Sequence, residues 1–110
     1  MPLTAEERFA LELLFRGSDA TSVAVRLQLD MAEVIERKAT GVGFFTTLRL
    51  MAPLPTITRC QWDCNFEHSQ LSHGGSFICW IDGTNVLELE AVAHDGAWPY
   101  GFDPCNFKEV

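Results

Sequence analysis

The feature that most constrains this chain is a strict alternation of side-chain character through residues 58–68. From Arg59 to His68, every second residue is cysteine, tryptophan, phenylalanine or histidine, and every residue between them is charged or carries an amide. Because successive side chains of a β-strand point to opposite sides, this pattern predicts a strand with one buried and one solvated face. Such strands are typical of antiparallel sheets that bury one side, so we expect the chain to form one.

Similar patterns predict the other strands of this sheet. They are expected at residues 31–38, 44–51, 76–81, 86–94 and 103–108. The sequence Asp82-Gly83-Thr84-Asn85 predicts a hairpin turn, and residues 69–75 are expected to form a loop. The strand after the hairpin should turn alternate residues inward, namely Leu87, Leu89, Ala91 and Ala93. The strand at 76–81 is apolar on both faces, so we expect it at the centre of the sheet and covered on both sides.

The first third of the sequence has a helical period instead. Residues 4–16 are predicted to be a helix, because Thr4 and Glu7 match a capping box and Gly17 follows as a stop. A second helix is expected to begin near Ser18 or Asp19, and it carries apolar residues at helical spacing: Ala20, Val23, Ala24 and Leu27. A DNA-binding helix-turn-helix would share this layout, but the segment has no net positive charge to contact phosphates.

These elements predict an α+β fold in which two N-terminal helices pack on a five- or six-stranded, mostly antiparallel sheet. With 110 residues, 47% of them apolar, the chain is expected to form a single domain over residues 1–110. We find no targeting or membrane segment, so the expected location is cytoplasmic. The four cysteines would be reduced thiols there, whereas an oxidising compartment would allow three pairings: Cys60, Cys64, Cys79 and Cys105.

The net charge of -7 lies wholly in the second half of the chain. Residues 1–59 contain seven basic and seven acidic residues, whereas residues 60–110 contain eight acids against Lys108 alone. Nucleic acids and anionic membranes are bound through clustered lysine and arginine, so neither is expected as a partner. All histidines, cysteines and tryptophans also lie in the second half, which is where we expect any functional site.

Four short motifs stand out in the chain: Thr40-Gly41-Val42-Gly43-Phe44-Phe45-Thr46-Thr47, His73-Gly74-Gly75-Ser76-Phe77, Asp82-Gly83 and Leu87-Glu88-Leu89-Glu90. With them the chain resembles, over about residues 4–110, a group of small bacterial proteins that are helical at the start and β-rich afterwards. The resemblance implies the same α+β fold and a bacterial origin. It implies no particular activity, since none is established for that group.

Residue types that bind metals or act as nucleophiles are present, but their spacing gives little support to such a site. Cys60 and Cys64 would lie about 13 Å apart on a strand, too far to share one zinc ion. One of them could still join Cys79 and a loop histidine. An activated thiolate needs a positive environment, which the acidic second half does not supply. We therefore assign no catalytic residue, metal ligand or cofactor from the sequence.

The acidic residues of the second half predict a more specific feature. If the strands around Asp63 and Glu88 share one sheet, the same outward face carries the predicted binding residues: Asp63, Glu67, Trp80, Glu88 and Glu90. An aromatic side chain surrounded by carboxylates suits a basic protein partner. The alternative is an acidic face that only keeps the protein soluble.

Three hypotheses for function follow. The first is a small, acidic, non-enzymatic domain that binds another protein, as an inhibitor, an immunity-type protein or a regulator. The second is a small hydrolase or metal-dependent enzyme that uses His68, His73 or His94 with nearby carboxylates, and it requires a pocket that joins such groups. The third is a structural homodimer that buries the second face of the sheet.

Overall fold

The protein is described by a computed structural model that covers residues 1–55, 57 and 59–110. Its two helices are Ala5–Leu14 (α1) and Ala20–Gln28 (α2). The predicted capping box is confirmed, because the Glu7 backbone N–H donates to Thr4 Oγ1 while the Thr4 N–H donates to the Glu7 carboxylate. The Asp19 carboxylate accepts from the Ser22 N–H in the same way and caps the second helix.

The helices precede one sheet of six strands, and every pair of neighbouring strands is antiparallel. The order across the sheet is β1-β2-β5-β4-β3-β6. The strands are Glu33–Ala39 (β1), Gly43–Arg49 (β2), Gln61–His68 (β3), Leu71–Asp82 (β4), Val86–Ala93 (β5) and Phe107–Glu109 (β6). The predicted α+β architecture is thus confirmed, with the helices packed on one sheet face and β4 in the interior of the sheet.

The predicted loop at residues 69–75 is wrong, because β4 already begins at Leu71 and pairs with His68 across a tight turn. The glycines that suggested a loop serve close backbone contact inside the strand instead. Gly74 has φ of 64°, and a Cβ atom there would lie 2.2 Å from the carbonyl oxygen of Phe66. The strand predicted at 58–68 begins at Gln61, and its first predicted residue, Thr58, lies outside the described residues.

Two smaller features also differ from the sequence prediction. The buried side of α2 is formed by Thr21, Ser22 and Val25, whereas Leu27 is 79% exposed. The helical spacing of the apolar residues therefore did not identify the face that packs. At the carboxyl end, a 3-10 turn at Pro104–Asn106 precedes the short edge strand that was predicted over residues 103–108.

Aromatic rings join the elements on the inner face of the sheet. Phe66 of β3 and Phe77 of β4 lie with ring centroids 4.7 Å apart, and both contact Phe107 of β6 and Trp98 of the segment after β5. Phe9 brings α1 onto this group, with its ring 6.2 Å from that of Phe77. The core therefore lies between the helices and one face of the sheet.

A buried carboxylate ties the first helix to the first hairpin. Glu7 is 4% exposed and forms an ion pair of 2.8 Å with Arg37 of β1, and its carboxylate also accepts from the Thr46 hydroxyl at 2.6 Å. Burial raises the pKa of Glu7, but the bonds from Arg37, Thr4 and Thr46 outweigh this effect and hold the pKa below its ordinary value of 4.5. Each hydrogen bond to the ionised form favours that form.

Replacing Glu7 with Gln is expected to lower the free energy of unfolding at pH 7 by about 2 kcal/mol, because Arg37 loses its buried partner. A carboxyl group with a depressed pKa stabilises the fold above pH 4.5, and the contribution disappears as pH falls through its folded value. The difference between the two proteins should therefore shrink in acid, as urea unfolding at several pH values would measure.

The exposed Glu12, which pairs with Arg8, provides the control. Glu12→Gln should change stability by no more than about 0.5 kcal/mol at any pH. Burial raises the pKa of Glu6, so this group has the opposite effect on the pH dependence of stability. It is present in the wild type and in both variants, and its effect therefore cancels in the comparison. An equal loss for Glu7→Gln at pH 7 and in acid would contradict the proposed role of the ion pair.

Candidate functional site

The outer face of the sheet, which points away from the helices, carries the predicted binding residues. Trp80 of β4 lies between Glu88 of β5 and Gln61 of β3 in the strand register. In the next row, Ile78 lies between Glu90 and Asp63. Trp80, Ile78 and Glu90 are half-buried, whereas Asp63 and Glu88 are exposed.

The register explains why these residues share a face. On the inner side, Cys79 of β4 pairs with Leu89 of β5 and Trp62 of β3, and all three are buried. Since neighbouring residues on a strand point to opposite sides, burial of this row directs the adjacent Trp80 and Ile78 outward. The alternation that defines the core thus also defines the outer face.

Within residues 1–55, 57 and 59–110, none of the outward carboxylates near Trp80 forms an ion pair: Asp63, Glu88 and Glu90. Glu90 lies between two apolar neighbours, Ile78 and the 39% exposed Phe45 of β2. We call Phe45, Asp63, Ile78, Trp80, Glu88 and Glu90 the acidic aromatic patch. It combines apolar area with carboxylates that form no ion pair among the described residues, and the nearest basic residues on this face by register are Lys38, opposite Phe45, and Arg49, opposite Val86.

Glu67 is on the same outer face but is not part of this patch. It lies four residues beyond Asp63 along β3, about 13 Å away, and is paired in register with Lys108 of the edge strand β6. Its carboxylate therefore belongs to the far end of the sheet. The sequence pattern placed it on the right face without indicating this distance.

All three histidines lie around a cleft of about 500 Å³ at that far end, together with Glu67. The hydrolase hypothesis required a pocket that joins histidine to carboxylate, and this cleft meets the requirement. His68 is buried, which lowers its pKa, and its Nδ1 accepts from the Gln70 backbone N–H. His73 Nδ1 lies 3.4 Å from the Asp95 carboxylate, and both side chains are exposed.

Both ring nitrogens of His94 have hydrogen-bond partners. Its Nε2 lies 2.7 Å from the hydroxyl of Ser76, and its Nδ1 lies 3.1 Å from the His73 carbonyl oxygen. The Ser76 hydroxyl donates to the side-chain oxygen of Asn65 at 2.6 Å. Sequence reasoning missed this Ser76–His94 pair, because Ser76 lies in β4, His94 follows the end of β5, and no motif links them.

The cysteines do not gather at either location. Cys60 and Cys105 are exposed, Cys64 is half-buried and Cys79 is buried, and all four are free thiols. Burial raises the pKa of both the Cys64 and the Cys79 thiols, which makes them poor nucleophiles at neutral pH. Among the residues that the structure describes, no group of three or more histidine, cysteine or acidic side chains is arranged to hold a metal ion.

Thiol titration of the native protein should therefore separate two pairs of cysteines. We expect Cys60 and Cys105 to react rapidly with Ellman's reagent, and Cys64 and Cys79 to react only slowly until denaturant is added. Peptide mapping after alkylation would assign the reactive sites. Rapid labelling of Cys79 in the native protein would show that the packing around β4 opens readily in solution.

No protein-family model, curated protein or solved structure matches this chain. No helix in the described part of the chain is both long and apolar enough to cross a membrane.

Proposed function

We propose that this protein is a small, non-enzymatic, protein-binding domain that uses the acidic aromatic patch to hold a basic partner. The support comes from one observation: Trp80 and Ile78 lie half-buried on the outer sheet face beside carboxylates that have no cationic partner among the described residues. Such a surface suits an inhibitor, an immunity-type protein or a regulator.

Interface energetics favour this use of the patch. Tryptophan is enriched among the few side chains that contribute most of the binding free energy of protein interfaces. Carboxylates around such an anchor attract a basic protein over distance and accelerate its association. A second copy of the chain is a weaker candidate, because two acidic aromatic patches facing each other would bring like charges together.

Retention of a basic protein from a lysate of the source organism should depend on the patch and on salt. We expect the wild-type protein to retain it at low ionic strength, and the double variant Glu88→Lys/Trp80→Ala to lose about 100-fold in affinity, equivalent to about 2.8 kcal/mol. Raising the salt concentration should weaken wild-type binding, since screening reduces electrostatic attraction.

Glu12→Lys is the matched control, because it reverses one charge on the exposed side of α1, away from the outer face. It should retain the same protein as the wild type. Unchanged affinity of every retained protein for the double variant, with its fold verified by circular dichroism, would refute the proposed face.

A second candidate function is hydrolysis beside the cleft, favoured by the 2.7 Å distance between Ser76 Oγ and Nε2 of His94, which lines the cleft. The Ser76 hydroxyl donates its proton to the Asn65 side-chain oxygen in this structure. It must turn toward His94 Nε2 before a neutral His94, which donates from Nδ1 to the His73 carbonyl, can act as its base. Ser76 Oγ would then bond to the carbonyl carbon of an ester while Nε2 takes its proton. The proton passes to the leaving alcohol, and water releases the acid from the serine.

A fluorophosphonate probe tests this second candidate directly, because it forms a stable bond only with an activated serine. Hydrolytic function predicts labelling at Ser76 that both Ser76→Ala and His94→Ala abolish, as intact mass and peptide mapping would measure. Absence of labelling in the wild-type protein would eliminate the candidate. Since Ser76 is only 9% exposed, the same experiment also reveals whether reagents reach its hydroxyl.

A further inference from the structure

We infer that the element which occupies the acidic aromatic patch is a basic amphipathic α-helix of the partner, lying along β4. The inference rests on the proposed function and specifies the partner's chemistry: an apolar stripe bordered on both sides by lysine or arginine. It follows from the order of side chains across three neighbouring strands.

The central strand of these three provides an apolar line. Trp80 and Ile78 are two residues apart on β4 and so lie about 7 Å apart on the same face. This distance is close to the rise between positions i and i+4 of a helix, about 6 Å. Successive apolar side chains of a helix can therefore contact successive side chains of β4.

The strands on either side carry the negative charges. Glu88 and Glu90 lie on β5, and Asp63 lies on β3. Two strand spacings separate these flanks, about 10 Å, which matches the diameter of an α-helix with its side chains. A helix centred over β4 would therefore place its two lateral faces above carboxylates.

Backbone hydrogen bonding favours a helix over an isolated extended segment. A helix satisfies its own N–H and C=O groups, whereas a strand laid across the face would turn its backbone groups toward Trp80 and Ile78. An extended segment finds backbone partners only at a sheet edge, and β4 has strands hydrogen-bonded on both sides. The outer face of β4 therefore suits a helix better than a single strand.

Two synthetic peptides of the same composition, about 18 residues or five turns long, test this inference. One places leucines at helical positions i, i+3, i+4 and i+7 with lysines along both borders, and the other has the same residues in an order without a helical stripe. We expect the first to bind at least about tenfold more tightly, as fluorescence anisotropy would measure. Amide chemical-shift changes should map to β3, β4 and β5.

Protein variants complete the test. Glu88→Lys/Glu90→Lys should weaken binding of the helical peptide at least about tenfold, whereas Glu12→Lys should leave it unchanged. Equal binding of both peptides at the patch would overturn the helix while leaving the proposed function intact. Binding of neither peptide, or chemical-shift changes confined to other surfaces, would also overturn the helix inference. The proposed function itself is tested separately, by salt-dependent retention of the basic protein.

Discussion

The contact between Phe66 and Phe77 is the interaction on which the rest of the structure depends. It fixes the register of β3 against β4, and through Phe9, Trp98 and Phe107 it attaches the first helix, the segment after β5 and the edge strand. A slip of one residue between these strands would exchange the two faces of the sheet. Burial of the aromatic rings therefore determines which side chains are left on the outer face, even though those side chains contribute little to the core.

Charge compensation differs between the two sides of the molecule. On the helical side, Glu7 pairs with Arg37, while Arg8 contacts both Glu12 and Asp30. On the outer face, the carboxylates beside Trp80 have no such partners within the described residues. Because exposed ion pairs contribute little to stability, their absence costs the fold little. These carboxylates therefore remain available to pair with cationic groups of a partner.

Elements in which buried and exposed side chains alternate regularly could be predicted from the sequence. Alternation identified the faces of β3 and β5, because one side of each strand is buried. The strand β4 was predicted too short, since Gly74 and Gly75 are typical of loops and only the close approach of Phe66 and Val92 explains them inside a strand. The packing face of α2 was missed for a related reason, because tertiary contacts selected Thr21 and Ser22 over more apolar residues.

The candidate sites depended even more on contacts between distant segments. Asp63, Trp80, Glu88 and Glu90 could be grouped from the sequence because alternation assigns each of them to the outward face of its own strand, and the strands are neighbours. Glu7 was recognised only as part of a helix cap, and its ion pair joins residues 30 positions apart. The Ser76–His94 pair depends on the register of β4 against β5, in which Ser76 is paired with Val92, two residues before His94. Alternation along a strand predicts the sheet face on which a side chain lies. The residues beside it on the neighbouring strands are known only from the strand register.

The same electrostatics rank the two candidate functions. Hydrolysis at Ser76 would develop negative charge on a substrate oxygen, and such an oxyanion needs donors or cations nearby. The described residues that line the cleft include Glu67 but no lysine or arginine, and Asp95 lies beside His73. The carboxylates near the cleft would therefore oppose the formation of an oxyanion there. The carboxylates of the acidic aromatic patch, by contrast, attract a cationic protein to the sheet face. The charge distribution therefore favours the binding of a basic protein and disfavours hydrolysis at Ser76.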